Sequence, residues 1–358
     1  MSICEENNCT GCMACYNACP KHCISMNYNN LDILMPSIDK ENCIRCNICS
    51  KICPSNKFIT KNEILEAYAC WSLDKNQRKT SSSGGIASIF YEHIINENGI
   101  VFGCNYDVNL QLKFSYTDSL KEIEKYKTSK YSQAYIGESF NKAREFLEQN
   151  RKVLFIGTPC QVAGLKNYLK KDYQNLITVD LICHGTPSQK YIDEYIKALN
   201  LSEKPTNITF RGLYDYYFTL YKNDRIIYSQ KSDSDKYFYS FLSGLFCRES
   251  CYQCIYATPQ RISDISIGDF WGLGNETPFE YDTSLGVSLA LINTEKGKNL
   301  FENIKNKIFF EKREITEALK GNDQLNHPIK KNIMFSKFQE LYIKYGFEKA
   351  LNECWNEK

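Results

Sequence analysis

Cys9, Cys12, Cys15 and Cys19 are followed by Pro20, and Cys43, Cys46, Cys49 and Cys53 by Pro54, so the spacing C-x2-C-x2-C-x3-C-P occurs twice. That is the spacing with which a chain wraps a pair of [4Fe-4S] cubanes. Three thiolates in a tight loop cover one face of a cubane, and the fourth lies beyond a turn that proline redirects toward the other cluster. One cluster is therefore expected to take Cys9, Cys12, Cys15 and Cys53, and the second Cys43, Cys46, Cys49 and Cys19. Zinc knuckles are the competing reading, but a Cys4 zinc site has no use for a third cysteine at the same spacing and a Cys-Pro ending, twice over. Cys4 and Cys23 fall outside the pattern and read as bystanders. Ile24, Ile44, Ile48 and Ile52 would give the clusters apolar cover.

The rest of the composition agrees with metal ligation. Eighteen cysteines in 358 residues make a poor disulfide framework for a large chain that opens without a basic start and an apolar stretch. A cytoplasmic location is expected, and no run is long and apolar enough to span a membrane. The formal charge of +2 leaves no electrostatic reason to expect nucleic acid, so the partner should be a redox protein or a small molecule. Oligomeric state is not legible.

The elements that must position further chemistry begin near residue 64. An α+β ferredoxin-like two-cluster module over residues 1–60 is expected to precede an α/β domain over 64–358, with a mixed, largely parallel sheet. Lys152 to Ile156 runs into Gly157-Thr158-Pro159, and Leu176 to Ile182 leads to Gly185-Thr186-Pro187. Both read strand, turn, helix, with Thr as cap and Pro in the first turn. If these strands are parallel neighbours, Cys160 and Cys183 meet at the carboxyl edge of the sheet, where such folds place ligands. In the first turn of its helix Cys160 should be favoured as a thiolate. Cys251 and Cys254 form a C-x2-C pair, which brings the thiols to four, enough for a third [4Fe-4S] cluster; Cys247 competes for the fourth place.

Several features weigh less. Thr80 to Gly85 should open a helix through Ile86, Ile89, Phe90 and Ile94 that Gly99 ends, and small residues at a helix start suit phosphate. Tyr214, Tyr216, Tyr217 and Phe218 precede a hairpin around Asn223-Asp224 and read mainly as sheet packing. Residues 295–320, with Leu300, Phe301, Ile304 and Ile308, read as an amphipathic helix. His184 follows Cys183 and is a candidate proton donor, whereas His22, His93 and His327 read as structural.

Ser82-Ser-Gly-Gly85, Ser129-Lys-Tyr131, Gly157 to Gly164, Asp180 to Gly185, the Cys251/Cys254 pair and Ser266 to Gly272 occur together in order. In this the chain resembles the coenzyme F420 hydrogenase/dehydrogenase beta-subunit family, bacterial type, with a fused N-terminal two-cluster ferredoxin. The resemblance implies FAD near Ser82, Ser83, Gly84, Gly85, Ser129, Lys130, Tyr131 and Thr158, with Lys130 and His184 as candidate catalytic groups. It also implies an in-domain cluster on Cys160, Cys183, Cys251 and Cys254. The fused ferredoxin and the Asp269-Phe-Trp271 insert depart from the methanogen subunit, so coenzyme F420 is not carried over as substrate. The main expectation is an FAD-dependent iron–sulfur oxidoreductase that moves electrons between a ferredoxin-type donor, the clusters, FAD and an organic substrate. The alternative is a non-catalytic electron-transfer subunit of a larger redox complex.

Overall fold

The computed structural model describes every residue except Met1, Phe58, Leu213, Tyr214 and Lys358; the reading of Tyr214 therefore lies outside the described residues. At the N-terminal end, β1 (Ile24–Tyr28) and β2 (Leu34–Ile38) pair as an antiparallel hairpin, Ile24 opposite Ile38. It is flanked by two short helices, Ala14–Ala18 and Ile48–Lys51. The cysteine loops ahead of these helices curl alike. Gly11 and Met13 in the first, and Arg45 and Asn47 in the second, all have left-handed backbone, at φ +67°, 59°, 55° and 58°. Non-glycine residues seldom adopt that conformation, and it lets so short a loop bend round a cluster.

The larger part is built from β3 (Glu66–Ser72), β4 (Ile100–Tyr106), β5 (Leu112–Thr117), β6 (Val153–Gly157), β7 (Leu176–Leu181), β8 (Asn207–Thr209), β9 (Tyr217–Lys222), β10 (Arg225–Lys231), β11 (Ile265–Asp269), β12 (Ser288–Ile292) and β13 (Ile308–Arg313). Eight of these form one mixed sheet in the order β13-β3-β12-β11-β7-β6-β4-β5. Its centre, β11-β7-β6-β4, is parallel, and its margins are antiparallel. Alternation along β6 divides the core. Val153 and Phe155 pack with the helices Ser139–Glu148 and Pro159–Leu169 on one face. Leu154 and Ile156 pack with Ile86–Asn96 and Glu295–Ile304 on the other. The N-terminal module sits on the first face, where Cys12, Met13 and Ile52 join the sheet's own core. A second, three-stranded sheet, β10-β9-β8, closes an aromatic core with the C-terminal helices Phe335–Tyr345 and Phe347–Asn356.

Two local expectations hold and two need correction. Thr158 caps its helix in a full capping box, Gln161 accepting from the Thr158 amide at 2.9 Å, with Pro159 in the first turn. The second turn differs: Ser188, not Thr186, caps the helix Gln189–Ala198, and Pro187 instead bridges to Cys247. The amphipathic helix stops at Ile304, and Ile308 opens strand β13, where a β-branched residue packs well at the sheet edge. The hairpin stands as read, turning at Asn223 (φ 53°) with Phe218 wholly buried.

Candidate iron–sulfur relay

Two cavities flank the N-terminal hairpin. Cys9, Cys12, Cys15 and Cys53 line one of about 320 Å³, together with Cys4 and Pro54. Cys19, Cys43, Cys46 and Cys49 line the other, of about 360 Å³, together with Cys23 and Pro20. In each, three cysteines of one run stand with the last cysteine of the other. Each cavity also holds a fifth thiol that spacing alone would dismiss: Cys23 Sγ lies 3.4 Å from Cys19 Sγ, and Cys4 hydrogen-bonds Cys9 and Cys53, lowering both thiols. Among the described residues no group of three or more His, Cys, Asp or Glu side chains is gathered closely enough for one metal ion; a cubane spreads its ligands over separate corners.

The cavities differ in burial. Cys9, Cys12, Cys15 and Cys53 are buried, and burial pushes the Cys12 thiol up to about 12. Cys46 is exposed, Cys43 and Cys49 are partly so, and Ile44, expected as apolar cover, is 56 % exposed. We refer to the two as the inner and outer cavities.

A third group of thiols forms at the carboxyl edge of the sheet. Strands β6 and β7 are parallel neighbours, Gly157 opposite Asp180, which brings Cys160 and Cys183 together. Cys251 ends a short 3-10 turn, Glu249–Cys251, and Cys254 follows it. Burial raises both Cys160 and Cys183, and the charges of Cys251 and Cys254 add to this. The expected thiolate preference of Cys160 is thereby corrected, since burial disfavours the charged form of the thiol. Cys247 also lies near Cys251 and Cys183 and still competes for the fourth place, while its amide donates to the Tyr252 hydroxyl at 2.9 Å. Arg261, not singled out from sequence, braces this region. Its guanidinium is buried against Asp180 at 2.5 Å and donates to the carbonyl of Tyr256 at 2.9 Å, tying the segment after Cys254 to the strand before Cys183.

The inner cavity abuts the third group. A Cβ at Gly164, in the helix begun by Cys160, would stand 3.1 Å from Cys12 Sγ. Arg248 and Ser250, between Cys247 and Cys251, both donate to the Cys9 carbonyl.

Residues 150–318 match the C terminus of the coenzyme F420 hydrogenase/dehydrogenase beta-subunit family, and residues 8–57 match the 4Fe-4S dicluster domain. A solved structure of the F420-reducing [NiFe] hydrogenase complex from Methanosarcina barkeri, a xenon derivative, is similar at 17 % identity and TM-score 0.49, over 82 % of this chain and 92 % of that one. No curated protein matches the chain.

The match over residues 150–318 corrects the main functional expectation. The matched family is that of a hydrogenase/dehydrogenase beta subunit, so an iron–sulfur electron-transfer subunit replaces the self-contained FAD-dependent enzyme. No described helix is long and apolar enough to cross a membrane.

The residues that the family resemblance associates with FAD do not all stay free. The Lys130 ammonium is buried and donates to the carbonyls of Tyr126, Lys127 and Thr128, which locks a turn and leaves no donor aimed outward. Thr158 is spent on its capping box, and Tyr131 packs among Phe210, Phe238 and Phe241. His184 Nε2 bonds the Leu242 carbonyl at 2.9 Å, and burial lowers its basicity. Gly84 is closed against the Cys70 carbonyl, at 2.3 Å from an added Cβ, whereas Gly85 takes φ +84° to start its helix. Ser82 Oγ accepts from the Ser129 amide, and the buried Ser83 hydroxyl has no hydrogen-bond partner among the described residues.

Proposed function

We propose that this protein relays electrons singly between an external redox protein and a partner subunit, through three [4Fe-4S] clusters held in line. Cys19, Cys43, Cys46 and Cys49 hold the outer one, Cys9, Cys12, Cys15 and Cys53 the inner one, and Cys160, Cys183, Cys251 and Cys254 the third. Each cluster, when bound, supplies one-electron redox chemistry. The chain's own residues keep water from the inner ligands, leave Cys46 of the outer set open to a partner while Cys19 stays buried, and close the distance between inner and third sets. The observation that carries this reading is the contact of Cys12 with Gly164, since no side chain separates the inner ligands from the Cys160 helix.

An FAD at Ser82, Ser83, Gly84, Gly85 and Ser129 is the finer part of the proposal, supported by the unpartnered Ser83 hydroxyl; flavin released by acid from the purified chain tests it separately. The relay is tested by anaerobic iron and sulfide analysis, with about 12 irons expected per chain. Cys160→Ser should remove about four of them and leave the module's signals in place; full retention of iron would show the third ligand set to be wrong. The purified chain alone should accept electrons from a reduced ferredoxin yet turn over no substrate until its partner is added.

A further inference from the structure

Arg248, 1 % exposed, is with Arg261 one of the two largest fully buried side chains among the described residues, and no carboxylate is among the groups it donates to. Nε and Nη2 donate to the Cys9 carbonyl at 3.2 and 3.0 Å, and Nη1 donates to the Leu34 carbonyl at 2.9 Å and to Gln133 Oε1 at 2.7 Å. Nη2 also lies 3.2 Å from Met35 Sδ. A guanidinium out of water is costly unless a negative charge answers it, and none of these groups carries one. The nearest candidate for that charge is the thiolate set beginning at Cys9.

The geometry points to Arg248 as a residue that sets the reduction potential of the inner cluster above that of the outer one, so that electrons pass inward downhill. The inference rests on the proposed relay. A cubane with four thiolates is an anion whose charge grows when it takes an electron, so a fixed, desolvated cation beside it favours the reduced state. Among the described residues nothing comparable faces the outer cavity. Lys21 is the one charged residue among those described that line it, and the neighbouring Arg45 is also exposed, so solvent and salt screen both. The same guanidinium joins the segment bearing Cys251 to the Cys9 loop, which places its charge on the side of the inner cluster that faces the third set.

The test is a potentiometric titration of the anaerobic full-length chain, followed by electron paramagnetic resonance after its iron has been counted, with Cys46→Ser and Cys160→Ser chains, lacking the outer and the third cluster, to mark the inner signal by elimination. Arg248→Gln should move the inner midpoint negative, cutting the reduced fraction at a fixed potential about tenfold or more, with the outer midpoint unmoved. Gln133→Glu, which sets a carboxylate against the guanidinium, should act in the same direction, and Arg248→Lys should keep most of the original value. An inner midpoint that stays put in both Arg248→Gln and Gln133→Glu overturns the inference, as does loss of the inner iron from both, which would make Arg248 a latch only. Wild-type chain without the inner cluster's iron would instead defeat the relay itself.

Discussion

Gly11 and Arg45 occupy equivalent places in the two cysteine loops, and both have left-handed backbone. A Cβ at Gly11 would stand 1.9 Å from Gln133 Nε2, whereas Arg45 extends into solvent. One ligand spacing has thus been put to two uses. The inner loop is pressed into the large domain and has no room for a side chain; the outer loop keeps an exposed cysteine and an exposed Ile44 at its mouth. Spacing decides what can be bound, and surroundings decide what the bound group is for.

The contrast can be broken most directly with an oxidant. Ferricyanide or air should strip the outer site first, removing about four irons before the inner signal declines; simultaneous loss would erase the distinction. Next in size is Arg261→Met, which leaves Asp180 as an unanswered buried charge and should cost about 3–5 kcal/mol in denaturant unfolding, with the third cluster released before either of the module's. Mirror substitutions sharpen the point. Gly11→Ala should cost about 1–3 kcal/mol by overpacking against Gln133, whereas Arg45→Ala at the matching position should stay within about 0.5 kcal/mol; equal effects would mean that the loops share one environment. The smallest effect is expected from Ile44→Asp, a few-fold slower electron uptake from an external redox protein in stopped-flow mixing, with stability and inner potential unchanged.

The chemistry of the N-terminal end was legible because cubane ligands recur at fixed short intervals, and the capping box at Thr158 and the hairpin at Asn223 were legible because they too are local. What escaped depends on contacts across the sequence. Arg248, in Cys-Arg-Glu-Ser-Cys, reads as one more surface charge, and only the fold brings it to Cys9. Lys130 looks like a ligand-facing cation beside Ser129, but its own turn consumes it. Ile308 continues a helical period and is captured by strand β3, a tertiary pairing that periodicity cannot register. Cys4 and Cys23 lie outside the motif in the sequence but inside the cavities in space. The expectation of a self-contained FAD enzyme came from the family resemblance, whereas the family model that matches residues 150–318 is that of a beta subunit.

The buried fork of Arg248 on the Cys9 carbonyl also separates this module from the free ferredoxins whose spacing it shares. A diffusing carrier must collide, dock and leave, and its throughput follows its concentration. In the proposed relay, a carrier riveted to its recipient by a guanidinium would turn that encounter into an internal passage, with a rate indifferent to dilution. Only the outermost step then remains subject to salt and crowding.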